Sequence, residues 1–363
     1  MTKKCGEIMR KLKFAIIGCG RISYKHVEAI SNNHTTSELV AVCDVVEERA
    51  LRRKKEYEEK NPGTEVKVYT DYKAMLRAED IDVVTIATES GYHGEIALDC
   101  INAGKHIAIE KPMAMTLAEA DAIIETAAQK NVVVTVCHQN RFNPAVQKMR
   151  HAREKGGFGK LVNCTARVLW NRNEDYYKQA PWRGTWELDG GTLMNQCIHN
   201  IDLLRWMVGA EVNTVYAQCD TFLRPIEAED FGAIIIRFKD GTIGMVEGSA
   251  CVYPKNLEET LSLFGEKGTV CLGGVANNKI ETWNFADEVL SQEILEEEEV
   301  DSVYGTGHTP LFKNLVEAIL ENKEPYVTAQ DGRNAIEIIL SAYESTRTGM
   351  PIKIRRQEIR RNK

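Results

Sequence analysis

Hydrophobic and polar positions follow two different rhythms along the chain. Up to about residue 139, short runs that are apolar throughout (KFAIIGC at 13–19, LVAVC at 39–43, then 82–87, 106–109 and 132–136) alternate with helix-period segments at 23–30, 47–60, 71–77, 92–103 and 117–130. Strands apolar on both faces and separated by single helices predict a parallel sheet covered on both sides, the doubly wound Rossmann arrangement of an α/β protein. Beyond Asn140 the strands lengthen and alternate, at 161–169, 213–222, 232–238, 242–248, 260–265 and 268–272, with turn pairs such as Asp240-Gly241 and Lys267-Gly268. Helices interrupt them at 198–207, 310–321 and 332–347. This texture predicts a C-terminal α+β domain with a large, mainly antiparallel open sheet and helices on one face. The expected division is a dinucleotide-binding domain at 1–139 and a substrate-binding and oligomerisation domain at 140–363, whose final helix can pack back on the first. A sheet covered on one face only leaves the other for a second copy, so a homodimer or homotetramer is expected.

Charge and composition narrow the function. The 46 Lys+Arg against 53 Asp+Glu give a net charge of −7, which supplies no electrostatic footprint for nucleic acid. The basic tail KIRRQEIRRNK at 353–363 and the acidic run Glu296–Glu299 read as solvated segments. No apolar run approaches the ~18 residues of a membrane span, and MTKKCGEIMRKLKF lacks a signal-peptide core, so a cytoplasmic protein without membrane partners is expected. The 10 cysteines form no CxxC or Cys/His zinc spacing, which predicts buried free thiols and no metal site.

Candidate chemistry begins with GCGRIS, Gly18 to Ser23, directly after the first strand and at the mouth of the first helix. Gly18 would allow a tight turn, Gly20 would let backbone approach a pyrophosphate, and the helix amides after Arg21 and Ile22 would receive its charge. Ser23 stands where a third glycine is usual. Asp44 closes the second strand, where a carboxylate binds ribose hydroxyls and repels the extra phosphate of NADP, so NAD is the expected cofactor. Capping of the next helix is a second reading of the same residue. Glu110-Lys111-Pro112 follows a strand at the carboxyl edge of the sheet, where ligands bind in open α/β folds, and Pro112 allows a cis bond. Glu110 and Lys111 are accordingly added to the cofactor-binding residues. In the segment 189–202, glycines precede a helix, and Asn195 and His199, four apart, are placed on one face of its first turn as an amide and an imidazole for alcohol oxidation. His138 and His308 read as site-lining or capping residues, whereas His34, His93, His106 and His151 carry no pattern.

GCGRIS, EKP and GGTLMNQCIHNIDLLRWM, in this order, resemble the glucose-fructose oxidoreductase, inositol dehydrogenase and rhizopine-catabolism (Gfo/Idh/MocA) family over essentially the whole chain. The resemblance implies an NAD-dependent dehydrogenase acting on a CH-OH group of a sugar or nucleotide sugar. It places Lys111 beside the nicotinamide and the reacting carbinol and makes His199 an acid or base. The family often has aspartate where this chain has Asn195, which leaves His199 and Lys111 as alternative bases. HQNRFNPAVQ (138–147), YYKQAPWRGTWELDGG (176–191) and MNQCIHNID are similar to a branch that oxidises the 3-hydroxyl of UDP-N-acetylglucosaminuronate for surface polysaccharide. Such a substrate is anionic at both ends, so Arg141, Arg172 and Arg183 are candidate forks for carboxylate or phosphate. Tyr176, Tyr177, Trp182 and Trp186 would form walls for sugar or uracil, or else shape a loop against a neighbouring subunit. A 2-oxo acid is a further expected partner where the cofactor stays bound between turnovers. The alternatives are a dehydrogenase of a free sugar or cyclitol such as myo-inositol, an NAD-dependent glycosidase, and an NAD-sensing regulator, the last disfavoured because Lys111 and His199 are both present.

Overall fold

The runs that are apolar throughout form a six-stranded parallel sheet of β1 (Leu12–Ile17), β2 (Ser37–Cys43), β3 (Lys67–Tyr69), β4 (Val83–Ile86), β5 (His106–Ile109) and β6 (Val134–Val136), in the order β3-β2-β1-β4-β5-β6. The computed structural model describes residues 10–274, 277–292 and 305–354. Every residue of β4 and β6 is buried, as a sheet flanked by helices on both faces requires. The helices are α1 (Ser23–Asn32), α2 (Glu47–Lys60), α3 (Tyr72–Ala78), α4 (His93–Asn102) and α5 (Leu117–Lys130). α5 starts where it does because Thr116 and Glu119 close a capping box, and it ends at Asn131 in the left-handed region. β3 was not anticipated, because a three-residue edge strand opening on an exposed lysine carries no apolar run.

The described residues divide into two compact units, the first ending at Gln139 and then taking in Thr306–Arg333 as well. That later segment departs from the expected assignment of everything after 140 to the second domain. It carries α11 (His308–Leu320), which packs against α1 and buries Leu311, Phe312, Leu315 and Val316. Phe312 stacks on Phe14 of β1 with ring centres 5.9 Å apart. The apolar stripe of α11 was legible in the sequence, but not the sheet that it covers.

The second unit is built on an eight-stranded sheet of β7 (Leu161–Leu169), β8 (Val212–Asp220), β9 (Phe231–Phe238), β10 (Ile243–Ser249), β11 (Glu258–Gly265), β12 (Gly268–Gly273), β13 (Lys279–Phe285) and β14 (Ile352–Lys353). Its order is β13-β12-β11-β7-β10-β9-β8-β14, antiparallel except between β7 and β10. Its helices are α6 (Pro144–Glu154), the short α7 (Glu174–Lys178), α8 (Thr192–Asn195) and α10 (Glu288–Ser291), and α9 (Ile198–Val208), while α12 (Ala329–Thr348) begins in the first unit and ends in the second. Burial alternates strictly along most of β9, with Gly232, Ile234, Ile236 and Phe238 inside. α9 lies on β7, β10 and β11, and α8 on β9 and β10. On the opposite face Tyr216, Ile235 and Met245 are cross-strand neighbours in one exposed row.

Among the described residues no helix is long and apolar enough to cross a membrane, and all nine described cysteines are free. The run Glu296–Glu299 and residues 355–363 of the basic tail lie outside the described residues.

Candidate active site

The first unit presents a glycine turn built for close approach. Gly18 adopts φ +91°, and a Cβ there would sit 2.5 Å from the carbonyl carbon and oxygen of Ala87, just past β4, so only glycine fits. Gly20 is different: a Cβ there would meet nothing within 4 Å, which leaves the turn open for a pyrophosphate. Ser23, in the place of the third glycine, donates its hydroxyl to the Gly20 carbonyl at 2.8 Å. Arg21 is exposed and Ile22 half-buried at the start of α1, whose N-terminus has no side-chain cap. Asp44 is brought against this turn, its Oδ2 accepting the Cys19 amide at 2.8 Å and its Oδ1 the Val46 amide at 2.9 Å. The N-cap position of α2 is Val46, not Asp44. Each carboxylate oxygen keeps acceptor capacity, so the ribose reading of Asp44 is compatible with its backbone bonds.

The EKP segment is held from behind by buried histidines. Glu110 turns inward, where its Oε1 lies 2.9 Å from His26 Nε2 and 3.2 Å from His308 Nε2, and its Oε2 accepts the Lys111 amide at 3.3 Å. Burial pushes this carboxyl upward, but the bonds from His26 and His308 overcome it and hold the pKa well below the usual carboxylate value. Glu110 therefore does not serve as the cofactor ligand expected of it, because its oxygens are committed inside the fold. His308 is likewise neither a cap nor a lining residue, since Gly307 occupies the N-cap of α11 and the imidazole belongs to this cluster. His93, which carried no sequence pattern, lies with Nδ1 2.7 Å from the Pro112 carbonyl and Nε2 3.1 Å from the Thr88 carbonyl, tying the end of β4 to the EKP turn. Lys111 itself is half-buried, and the Lys111-Pro112 bond is cis. His26 could have been flagged, because Ser23, His26, Val27 and Ile30 form the buried face of α1 at helical spacing.

In the second unit the expected single helix under Asn195 and His199 is broken. The Cys197 amide reaches back five residues to the Thr192 carbonyl, so α8 ends and α9 restarts in a different phase. Asn195 ends α8, and half-buried His199 lies in the first turn of α9. The Asn195 side-chain amide donates to Asp189 and its carbonyl accepts from Gln196 at 2.7 Å. Asp189 also accepts the Gly184 amide at 2.7 Å. A carboxylate is thus present at this site, displaced to position 189. The α8 start is seated on Glu229, whose Oε1 accepts the Leu193 amide at 2.7 Å and the Tyr343 hydroxyl at 3.1 Å. A Cβ on Gly191 would fall 1.7 Å from the other Glu229 oxygen, so the second glycine of the GG pair makes room for this carboxyl. Burial pushes the Glu229 pKa up to about 7. The sequence offered no signal for Glu229, an ordinary-looking acid within EAED.

Two of the three candidate arginines come together in a layered stack. Arg172 lies over Trp170 at 4.4 Å and Tyr176 at 5.1 Å, and Arg183 lies over the same Tyr176 at 4.4 Å and Trp182 at 4.7 Å. Gln196 joins the stack to Asn195, donating to the Tyr176 hydroxyl at 3.1 Å and accepting from Arg172 at 3.2 Å. Tyr177 meets Tyr176 edge-on, with ring centres 5.1 Å apart. Arg141 is not with them. It is 1% exposed and spends its fork on Asp202 of α9, at 2.7 and 2.6 Å, which makes it a core ion pair and not a fork for substrate.

Comparison with known proteins adds identity to this geometry. A profile described as "Oxidoreductase family, NAD-binding Rossmann fold" matches residues 12–138, and one described as "Oxidoreductase family, C-terminal alpha/beta domain" matches 152–354. The structure is similar to that of the WlbA dehydrogenase from Bordetella pertussis in complex with NADH and UDP-GlcNAcA, with 34% identity, a TM-score of 0.85, and 96% of this chain and 100% of that chain covered. Among curated proteins, myo-inositol 2-dehydrogenase of Thermotoga maritima is 26% identical, covering 94% of this chain and 98% of its own length. The NAD-dependent scyllo-inositol 2-dehydrogenase of Bacillus subtilis is 25% identical, covering 95% and 96%.

Proposed function

Since the chain belongs to the Gfo/Idh/MocA oxidoreductase family, whose members include NAD-dependent sugar and cyclitol dehydrogenases, we propose that its own substrate is a UDP-linked N-acetylglucosaminuronate, oxidised at the 3-hydroxyl. The observation that carries this reading is the Arg172–Tyr176–Arg183 stack. Two guanidinium groups with aromatic neighbours suit a ligand that joins anionic groups to flat rings, and suit an uncharged polyol poorly.

NAD, held by the Gly18–Gly20 turn and Asp44, supplies the hydride acceptor when bound. Lys111 in its neutral form takes the hydroxyl proton, from a turn fixed in advance by Glu110 and His93. Asn195 and His199 orient the sugar. The amide of Asn195 cannot relay a proton, which favours the lysine as base over the imidazole. Asp44 makes NAD the preferred dinucleotide over NADP. The protein works in the cytoplasm, where its free thiols persist, as a homo-oligomer joined through the Tyr216–Ile235–Met245 face.

The test is a panel assay following nicotinamide absorbance with UDP-N-acetylglucosaminuronate and with myo-inositol, each with and without a 2-oxo acid, which a retained cofactor would need for reoxidation. Turnover of the UDP-uronate is expected, with Arg172→Met and Arg183→Met raising KM more than they lower kcat. Oxidation of myo-inositol alone would replace this reading by that of a cyclitol dehydrogenase, which the curated inositol dehydrogenase relatives favour.

A further inference from the structure

Three buried histidines, from α1, α4 and α11, converge on the residues either side of Lys111, and the proposed chemistry uses only His93, to fix the turn. We propose that His26 and His308 are positioning residues that hold Glu110 as a charged carboxylate at the position before Lys111, and that this fixed negative charge sets the ionisation of the lysine. The inference rests on the reading of Lys111 as the proton acceptor.

The geometry gives Glu110 more donors than a structural carboxylate needs. His26 Nδ1 is 3.0 Å from the Thr85 hydroxyl, which can donate to it and so leave the ring proton on Nε2, facing Glu110. His308 brings a second ring nitrogen to the same oxygen, the Lys111 amide reaches the other, and the Cys137 thiol also bonds to this carboxylate. The imidazoles are locked by packing, with His26 edge-on to Phe312 at 5.4 Å and 5.6 Å from His308. The titratable groups facing Glu110 are therefore His26, His308 and Cys137, with Lys111 beside it and His93 across the turn. Burial lowers the pKa of His308, and the hydrogen bond and charge of Glu110 oppose that shift, so imidazole and carboxylate are coupled in one buried cluster. A carboxylate left charged in this way favours the protonated form of a neighbouring amine, and Lys111 is the next residue in the chain, its backbone amide already on Glu110. Its effect is to keep Lys111 protonated until higher pH than burial alone would allow, so that the amine becomes a competent base only above a set point.

The ionisation of Lys111 can be read without turnover, by competitive acetylation of the full-length protein across pH with the Lys111 peptide quantified by mass spectrometry. Glu110→Gln should move the labelling curve about one pH unit lower, because the opposite charge on the adjacent residue is removed. Glu110→Asp keeps the charge and should leave the curve near that of the wild type. Replacing both imidazoles, as His26→Leu with His308→Leu, strips the carboxylate of two donors and should move the curve the same way as Glu110→Gln, whereas the Gln pair keeps N–H donors and should not. A Glu110→Gln curve that superimposes on the wild type, in protein shown by circular dichroism to be folded, overturns the proposal. So does equal movement of the Leu and Gln pairs. Full turnover by Lys111→Ala would instead remove the lysine as base, and would leave the labelling result standing.

Discussion

Glu229 offers the sharpest test of the second unit, because a single buried carboxyl seats the helix that carries Asn195. Its environment pushes the pKa from 4.5 to about 7, burial being the main cause, with the Leu193 amide and Tyr343 hydroxyl compensating only in part. A carboxyl whose pKa is raised on folding keeps its proton longer in the native state. Its contribution is therefore favourable below its unfolded pKa and is lost as pH rises through the folded value. The full loss is about 3.5 kcal/mol, from roughly 2.5 units at about 1.4 kcal/mol each, nearly complete by about pH 8 and constant above it. Glu229→Gln removes that titration. The variant leaves a side-chain N–H where the protonated acid has its O–H, so its offset from the protonated wild type is independent of pH. The quantity that tests the reasoning is thus the slope. Denaturant unfolding at pH 5, 6, 7 and 8 can be followed by tryptophan fluorescence, which reports the second unit alone because all five tryptophans lie between residues 170 and 283. Wild type should lose stability relative to Glu229→Gln by about 2.5 kcal/mol across that range, the remainder being lost below pH 5. Glu259, pushed by burial up to about 8, titrates in both proteins and cancels in the comparison. Parallel curves would show that Glu229 is ionised at no such cost, and would refute the argument from its burial.

Three further outcomes follow from the geometry. Gly18→Ala places a Cβ 2.5 Å from the Ala87 backbone at φ +91°, so it should weaken NAD binding at least about tenfold by calorimetry and lower the melting temperature. Arg141→Met leaves Asp202 buried without its partner and should cost about 3–5 kcal/mol in denaturant unfolding, most of it recovered in Arg141→Met with Asp202→Leu. Asp44→Ala should weaken NAD while narrowing its advantage over NADP in equilibrium binding, and tighter NADP binding by the wild type would remove the ribose reading of this carboxylate.

The sequence by itself determined the parts of this protein that local pattern encodes. Apolar runs of strand length and helix-period segments reproduced the bounds of α2, β5, α5 and β7, because each of these elements is a long or uniformly apolar signal ended by caps or turn residues. The same local reading located the glycine turn, Asp44 and the EKP turn, whose chemistry is written in consecutive residues. Only tertiary structure decided the rest. It assigned α11 to the first unit, because an apolar stripe specifies that it must be covered and not by what. It broke the helix between Asn195 and His199 through one wide backbone bond at Cys197 that no periodicity records. It turned Arg141 and Glu110 inward and brought His26, His93, His308 and Glu229 into play, because a buried polar side chain is defined by partners far away along the chain, 198 residues in the case of His308 and Glu110. Burial and partnership are properties of the assembled core, and a charged residue reads the same in the chain whether it will face water, a ligand or another side chain.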